Sequence, residues 1–165
     1  MINRVRIIGT SGTGKTYVAK KLSKILNISH YDLDEIFWKR KYDQKRTVPE
    51  REKLCLELTK KRKWVLEGVY GSWSESSIQK ADLVVLLDVN LFLAIWRIIK
   101  RYFKRKGTCR ESIGNMIYLV NYVRKYKKRS DTASHKTHVE LINKHKVEVI
   151  VLKNKKDVKE FLKDF

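Results

Sequence analysis

The sequence predicts an α/β fold in which a parallel five-stranded sheet is covered by helices on both faces. Five apolar runs of strand length alternate with longer segments whose apolar residues recur at helical spacing. No internal repeat or low-complexity linker interrupts the 165 residues, a length that suits one domain with a substantial core. Residues 1–165 are therefore interpreted as a single domain.

The predicted strands and helices alternate along the whole chain. The strands cover residues 5–9, 28–34, 63–68, 81–89 and 146–152. The helices cover residues 14–27, about 49–63, a long segment from about 91, about 115–128, 139–145 and 154–165, and residues 38–48 form a polar connection. Pro49 suits the first turn of its helix. The continuous apolar run at 81–89 is typical of a strand that is buried on both faces.

The composition limits the partners and the compartment. Lys and Arg outnumber Asp and Glu by 38 to 18, which gives a formal net charge of +20. Such a chain attracts polyanions: nucleotides, nucleic acids or acidic membrane surfaces. Cys55 and Cys109 form neither a disulfide framework nor a zinc spacing. The chain shows no signal-peptide pattern and no run of 18 apolar residues, so a cytoplasmic protein without a membrane span is expected.

One motif lies between the first strand and the first helix. It consists of Gly9, Thr10, Ser11, Gly12, Thr13, Gly14, Lys15 and Thr16, and it fits the pattern G-x-x-x-x-G-K-[ST]. Glycines let the backbone point its N–H groups at phosphate oxygens, and the helix adds the positive end of its dipole. Lys15 can reach the β- and γ-phosphates, while the Thr16 hydroxyl can bind Mg²⁺. The alternative is an accidental glycine turn, but a chance match is on the order of one in a few hundred. The motif therefore predicts a nucleotide site.

Three further segments carry a resemblance to a known family. They are HYDLDEIFW (30–38), WVLEGVY (64–70) and LLDVNLFLAIWRIIKR (86–101). With the motif, they resemble the P-loop nucleoside and nucleotide kinases of the adenylate-kinase-like branch over nearly the whole chain. Within that branch the chain is most similar to small bacterial proteins called DNA topology modulation proteins. The resemblance implies a P-loop NTPase three-layer sandwich with strand order 2-3-1-4-5, ATP and Mg²⁺ as cofactors, and a basic mobile lid at about 102–114.

The resemblance also implies roles for two arginines. Arg97 would stack on the adenine ring, and Arg101 would contact the transferring phosphates. Because four residues make about one helical turn, both side chains project from the same face of the helix. The alternative is a solvated basic face. Arg105 and Arg110 are candidate lid arginines, with ordinary surface charge as their alternative.

The acidic candidates follow the second and third strands. By resemblance, Asp34 would orient or deprotonate an acceptor, and the alternative is that it caps the helix beginning near Glu35. Asp32 would point to the opposite face if the strand persisted. Glu67 would hold Mg²⁺ through water, together with Thr16, unless it is a surface-paired glutamate. The predicted catalytic set is thus Lys15, Arg101, Asp34 and Glu67.

The chain also departs from adenylate kinases. The segment after Glu67 lacks the usual Phe-Pro-Arg, and the acceptor-side arginine after the second strand is missing. Arg40 and Arg46 are candidate substitutes from the polar connection. Four aromatic residues nearby could stack on a base or pack into the core: Phe37, Trp38, Tyr70 and Trp73. The departures place AMP in doubt as the acceptor.

A second hypothesis comes from the basic segment 97–129, which holds twelve cations and one acid. Tyr122 and Tyr126 are interleaved with the cations, which is typical of nucleic-acid contacts, whereas the alternative has the tyrosines packed inward. His135, His138 and His145 are expected to be solvent-exposed, because no further ligand converges on them. The leading hypothesis is an ATP-dependent phosphotransferase that acts on a small acceptor. The alternative is an ATP-binding, nucleic-acid-associated regulator with little kinase activity.

Overall fold

A computed structural model of the chain describes residues 2–40, 43–105 and 112–165. The strands are β1 (Arg4–Ile8), β2 (His30–Asp32), β3 (Trp38–Arg40), β4 (Gln44–Lys45), β5 (Trp64–Gly68), β6 (Leu83–Leu87) and β7 (Val149–Leu152). The helices are α1 (Lys15–Leu26), α2 (Leu33–Phe37), α3 (Val48–Thr59), α4 (Glu75–Gln79), α5 (Leu91–Arg105), α6 (Ile113–Lys125), α7 (His135–His145) and α8 (Lys155–Phe161), with a short 3-10 helix at Ser72–Ser74.

Five parallel strands form the main sheet in the order β2-β5-β1-β6-β7. This is the expected order 2-3-1-4-5, so the predicted fold class is confirmed. In the register, Ile7 of β1 lies beside Glu67 of β5, and Asp32 of β2 lies on the other side of Glu67. The carboxyl ends of β2, β5 and β1 therefore meet at one edge of the sheet, where ligands bind in open α/β sheets.

Both faces of the sheet are covered by helices. On one face, Val5 and Ile7 pack with Leu22 of α1 and Phe161 of α8. On the other face, Ile8 packs with helices α4 and α7. All of β6 is buried, as its continuous apolar run predicts.

Arg6 of β1 is a fully buried cation on the second face. Its guanidinium donates hydrogen bonds to the carbonyls of Ile7 and Tyr70, at 2.8 and 3.0 Å. Burial lowers the pKa of Arg6 to about 10. Arg6 thus links the central strand to the loop that follows β5.

Several element boundaries differ from the sequence-based expectation. The polar connection at 38–48 contains the antiparallel pair β3–β4. Helix α3 begins at Val48 behind a Thr47–Glu50 capping box and ends at Thr59, before the predicted Lys63. Among the described residues, no helix has both the length and the apolarity needed to cross a bilayer.

The expectation that His135, His138 and His145 are solvent-exposed is wrong. His135 and His145 are half-buried, His145 with its Nε2 2.7 Å from Glu75 Oε1, and the largest departure is His138. It is fully buried in α7, and its Nδ1 lies 2.8 Å from the Tyr126 hydroxyl. Burial lowers the pKa of His138 to about 3, so the ring is neutral at physiological pH. His138 is therefore part of the contact that holds α7 against the end of α6.

Candidate active site

The glycine-rich loop runs from the end of β1 to the start of α1. Gly12 has φ +78°, and a Cβ at this position would collide with the Ala94 carbonyl of α5. Gly14 is the N-cap of α1, and no side chain caps the helix there. The buried Thr10 hydroxyl has no hydrogen-bond partner within the described part of the chain. The loop thus presents an uncapped helix N-terminus of the kind that binds phosphate.

Lys15 is the cation of this loop. Its ammonium donates a 3.0 Å hydrogen bond to the Thr10 carbonyl. Burial lowers the pKa of Lys15, against the opposing charges of Glu67, Asp34 and Asp32. The predicted phosphate-binding lysine therefore lies close to the predicted acidic residues.

Thr16 and Glu67 are in direct contact, as expected for two ligands of one metal ion. The Thr16 hydroxyl donates a 2.9 Å hydrogen bond to Glu67 Oε2. Glu67 is 2% exposed, so it is not a surface-paired glutamate. A hydroxyl and a carboxylate are the hard oxygen donors that Mg²⁺ prefers. The residues present therefore fit Mg²⁺.

Thr16 and Glu67 alone would not fill the coordination shell of a Mg²⁺ ion. The described residues hold no group of three or more His, Cys, Asp or Glu arranged around a metal position. Mg²⁺ is commonly held by one or two protein ligands, with substrate phosphates completing its shell. The Thr16–Glu67 pair beside the phosphate-binding loop matches that mode of binding.

His30 is a contact of Glu67 that the sequence reasoning missed. Its Nε2 lies 2.9 Å from Glu67 Oε1, on the carboxylate oxygen that does not contact Thr16. A second hydrogen bond to a ligating carboxylate fixes its orientation. The sequence signal that could have revealed it is the expected pairing of the second and third strands of the sheet. In that pairing, His30 at the start of β2 lies near Glu67 of β5.

Asp32 and Asp34 make different contacts at the start of α2. Strand β2 ends at Asp32, whose carboxylate caps α2 by accepting a 2.9 Å hydrogen bond from the Asp34 amide. The N-cap alternative considered for Asp34 is therefore wrong, and the N-cap of α2 is Asp32, for which the sequence predicted no such role. Because the strand does not persist, the two carboxylates are not separated by its faces. Burial, and then the charge of Asp34, raise the pKa of Asp32 to about 6.

Asp34 has a phenol as its partner. The Tyr70 hydroxyl donates a 2.8 Å hydrogen bond to Asp34 Oδ1. Burial and the Asp34 charge raise the pKa of Tyr70, so the phenol stays protonated and remains a donor. This contact ties the start of α2, directly after β2, to the loop that follows β5.

The four aromatic residues near Asp34 pack on one another. Phe37 stacks on Tyr70 with 4.8 Å between ring centroids, and it meets Trp38 edge-on at 5.0 Å. Trp73 is buried beside Tyr70, at 4.9 Å. The Arg51 guanidinium lies 4.3 Å from the centre of the Phe37 ring. The structure therefore favours the packing interpretation for these rings.

The two arginines considered as substitutes on the acceptor side have protein partners. Arg46 donates hydrogen bonds to three backbone carbonyls, those of Glu35, Ile36 and Trp38. Arg40 pairs with Asp43 at the surface. The Arg46 contacts hold the β3–β4 segment and argue against Arg46 as a phosphate ligand, whereas the Arg40 side chain is 79% exposed and its ion pair does not commit it to the fold.

Arg97 and Arg101 extend from α5 next to the loop. The Arg97 guanidinium donates to the carbonyls of Gly12 and Thr13, at 3.2 and 2.9 Å. Both arginines line a cavity of about 390 Å³ together with Lys100 and Lys104. Of the expected lid at 102–114, residues 106–111, which include the candidate lid arginine Arg110, lie outside the described residues, and so does the side chain of the other candidate, Arg105.

The end of α6 lies across a second cavity from the loop. This cavity, of about 360 Å³, is lined by Thr10, Thr13, Asp88 and Lys127, among others. Lys127 closes one side by a 2.7 Å ion pair with Asp88, the aspartate that follows β6. Basic residues of α6 and its C-terminal end thus approach the phosphate-binding loop.

The tyrosines of the basic segment pack inward. Tyr126 is buried against His138, and Tyr122 lies under the Arg129 guanidinium at 3.8 Å. Arg129 also pairs with Asp131. The alternative interpretation, in which the tyrosines are structural, is therefore the correct one for these two residues.

Comparison with known proteins identifies the fold. No family model matches the chain. It is similar to shikimate kinase from Acinetobacter baumannii in complex with shikimate (TM-score 0.60, 19% identity, 99% of this chain and 90% of that chain). It is also similar to shikimate kinase from Aquifex aeolicus (0.51, 21%, 98% and 92%) and to a sugar kinase from Janibacter sp. (0.55, 10%, 99% and 92%). The chain has the P-loop kinase fold.

The sequence comparison does not assign the chain to a family below the level of the fold. The chain is 36% identical over 108 residues to the uncharacterized protein YqaC of Bacillus subtilis (strain 168). The match covers 65% of this chain and 61% of that protein, so it spans about three fifths of the length of the curated relative. The resemblance to the DNA topology modulation group stays a prediction.

Proposed function

We propose that the chain is an ATP-dependent phosphotransferase that transfers the γ-phosphoryl group to a hydroxyl of a small acceptor. The observation that carries the proposal is the 2.9 Å contact between Thr16 of the phosphate-binding loop and the buried Glu67. It brings together the two groups that a metal-dependent kinase needs beside its phosphates. Shikimate and sugar kinases with the same fold support the reaction class.

The donor side is built from the loop and α5. Backbone N–H groups of residues 9–14 and the start of α1 bind the phosphates, and Lys15 offsets their charge. Mg²⁺, held through Thr16 and Glu67, would neutralise charge that develops between the β- and γ-phosphates. Arg97 holds the loop in place by its two carbonyl contacts. Arg101, one helical turn further along and lining the same cavity, would contact phosphate oxygens.

The acceptor side is built around Asp34. The acceptor oxygen attacks the γ-phosphorus, the bond to the ADP oxygen breaks, and Asp34 takes the proton of the acceptor hydroxyl. The Tyr70 hydrogen bond holds Asp34 in one orientation for that transfer. Because Arg46 is engaged by backbone carbonyls and the chain lacks the acceptor-side arginines of adenylate kinases, the acceptor is inferred to be a hydroxy compound other than AMP.

An ADP-release assay tests the proposal. Mg-ATP is supplied with a panel of sugars, hydroxy acids, nucleosides and nucleoside monophosphates. Lys15→Ala is the blank, and Lys20→Ala on the exposed side of the same helix is the matched control. An acceptor that raises turnover in the parent and in Lys20→Ala, but not in Lys15→Ala, supports the kinase. A flat panel with nucleotide binding intact contradicts it.

The alternative function, an ATP-binding nucleic-acid-associated regulator, rests on the charge of +20. Some of the cations invoked for it have protein partners, since Arg97 contacts the loop, Lys127 pairs with Asp88 and Arg129 pairs with Asp131. Parallel assay wells with DNA or RNA test this function. If only nucleic acid changed the rate of ADP release, and the chain bound nucleic acid with a steep salt dependence, the regulator would be favoured over the kinase.

A further inference from the structure

Helix α5 carries a row of large apolar side chains that face solvent. Phe92, Trp96, Ile99 and Phe103 are 79%, 55%, 36% and 65% exposed. Their spacing of four, three and four residues places them on one side of the helix. Three aromatic rings and one branched aliphatic side chain thus form an apolar stripe along the helix; we call these four residues the α5 stripe.

The other sides of α5 are already accounted for. Ala94 and Ile98 are buried against Val123 of α6. Arg97 faces the phosphate-binding loop, where its guanidinium contacts backbone carbonyls. The α5 stripe belongs to neither the core nor the candidate active site. Its exposure is therefore explained by neither folding nor the proposed reaction.

Positive charge borders the α5 stripe. The helix contains five Lys and Arg residues and no acidic residue. Lys100 lies over Trp96, with its ammonium 4.8 Å from the ring centroid, and both Lys100 and Lys104 are exposed. An apolar side flanked by cations on the same helix is the pattern of helices that lie in the interface of a bilayer.

The neighbouring helix adds to this surface. Ile113, Ile117 and Tyr118 of α6 are all more than half exposed, at 60%, 52% and 66%. Helix α6 packs directly on α5, so two adjacent helices expose apolar side chains. Patches of this kind on a folded chain mark sites of interaction.

We propose that the α5 stripe binds the surface of an anionic lipid bilayer, with α5 lying in the plane of the interface. Apolar side chains insert among the acyl chains, while Lys100 and Lys104 pair with anionic headgroups. A second copy of this chain is a poorer occupant, since a net charge of +20 repels another copy. Nucleic acid would satisfy the cations but would leave Ile99 without an apolar partner. Because Arg97 on the same helix contacts the loop, the bound chain would hold its nucleotide site beside the membrane.

Vesicle co-sedimentation tests the proposal on the full chain. The probes are vesicles of phosphatidylcholine alone and of phosphatidylcholine with phosphatidylglycerol. We expect binding to the anionic vesicles, and a loss of about tenfold or more in the partition coefficient for the double variant Phe92→Ser/Phe103→Ser. Tyr17→Ser, at another exposed aromatic residue, on α1 (58% exposed), is the control and should bind like the parent.

Tryptophan emission gives a second readout that needs no destabilising variant. Of the four tryptophans, Trp64 and Trp73 are buried, Trp38 is half-buried in β3 outside the α5 stripe, and Trp96 lies in the α5 stripe. A blue shift on adding anionic vesicles is expected for the parent and should be absent in Trp96→Phe, which keeps an aromatic side chain and still sediments with the vesicles. Only the part of the shift that Trp96→Phe abolishes is assigned to the α5 stripe.

Three outcomes would overturn the proposal. The first is the absence of binding to anionic vesicles. The second is vesicle binding that the double variant leaves unchanged, which would indicate attraction by charge alone. The third is that the parent chain does not bind vesicles but self-associates or binds single-stranded DNA, and that the double variant loses this property. The α5 stripe would then be assigned to a second copy or to nucleic acid.

Discussion

Glu67 joins two partners with one carboxylate, Thr16 on one oxygen and His30 on the other. In Glu67→Gln, the side chain keeps its shape and can still hydrogen-bond, but it has no negative charge for a metal ion. We expect the Mg²⁺ concentration for half-maximal turnover to rise and turnover to fall by about 10- to 100-fold. ADP release measured over a Mg²⁺ titration checks this prediction.

Thr16→Ser is the control for this experiment, because it keeps the hydroxyl that contacts Glu67 and should retain most of the turnover. A Glu67→Gln variant with an unchanged Mg²⁺ dependence would show that the carboxylate serves the fold and does not bind the metal. Urea unfolding of both variants separates the two cases.

Asp32 makes the stability of the unliganded chain depend on pH. Its pKa is raised from an ordinary 3.8 to about 6 in the folded chain. The Asp32 carboxyl therefore binds its proton more tightly in the folded state than in the unfolded state. Its contribution to the free energy of unfolding is complete below about pH 3.8 and is lost as the pH rises through 6. Asp32→Asn cannot ionise, and asparagine is an equally good helix N-cap.

We expect Asp32→Asn to be more stable than the parent at pH 8 by about 1–2 kcal/mol, a figure reduced for the partial exposure of the side chain. The difference should shrink toward zero near pH 4. Urea unfolding at both pH values measures it. Asp32→Ala, which loses the cap, should be less stable than Asp32→Asn at both pH values by about 0.5–2 kcal/mol. A gain for Asp32→Asn that does not change with pH would contradict the assigned pKa.

At the scale of elements, α5 and the phosphate-binding loop act as one unit. Arg97 donates to two loop carbonyls, and Gly12 packs directly on the first turn of α5. Arg97→Ala should therefore make the loop less rigid and weaken phosphate binding, also for a ligand that has no nucleobase. We expect the affinity for inorganic tripolyphosphate and the affinity for ATP to fall together, by about tenfold, since two hydrogen bonds from a charged group are lost.

Calorimetric titration with both ligands measures this effect. Lys100→Ala removes one cation from the same cavity without touching the loop and controls for lost charge. If Arg97→Ala weakened ATP binding and left tripolyphosphate binding unchanged, Arg97 would act by stacking on the base, which is the role that the family resemblance implies.

The elements also show which features could be predicted from the sequence. The alternation of apolar runs predicted the parallel sheet, and the motif at residues 9–16 placed the phosphate-binding loop, because both are local patterns. The Tyr70–Asp34 contact joins residues 36 positions apart, and the buried His138 depends on Tyr126 of another helix segment. Such contacts leave no spacing in the sequence. The β3–β4 pair was missed because its strands have three and two residues, too few to show an alternating apolar pattern.

At the scale of the whole molecule, a net charge of +20 on 165 residues opposes folding by self-repulsion. Added salt screens that repulsion, since the Debye length falls from about 10 Å at 0.1 M to about 3 Å at 1 M salt. The melting temperature should therefore rise with sodium chloride. That part of the stabilisation depends on total charge and should be nearly the same in any variant that removes one lysine.

Tripolyphosphate should add a specific increment to this general effect. At about 100 times its dissociation constant it would stabilise the folded chain by about 2.7 kcal/mol, or roughly 5–10 °C for a chain of this size. Thermal unfolding at constant ionic strength measures the increment. Lys15→Ala should lose the increment while keeping the response to chloride, and Lys20→Ala should keep both. If Lys15→Ala kept both, the anion would be acting on the charge of the whole molecule, and the loop between β1 and α1 would have no special part in binding it.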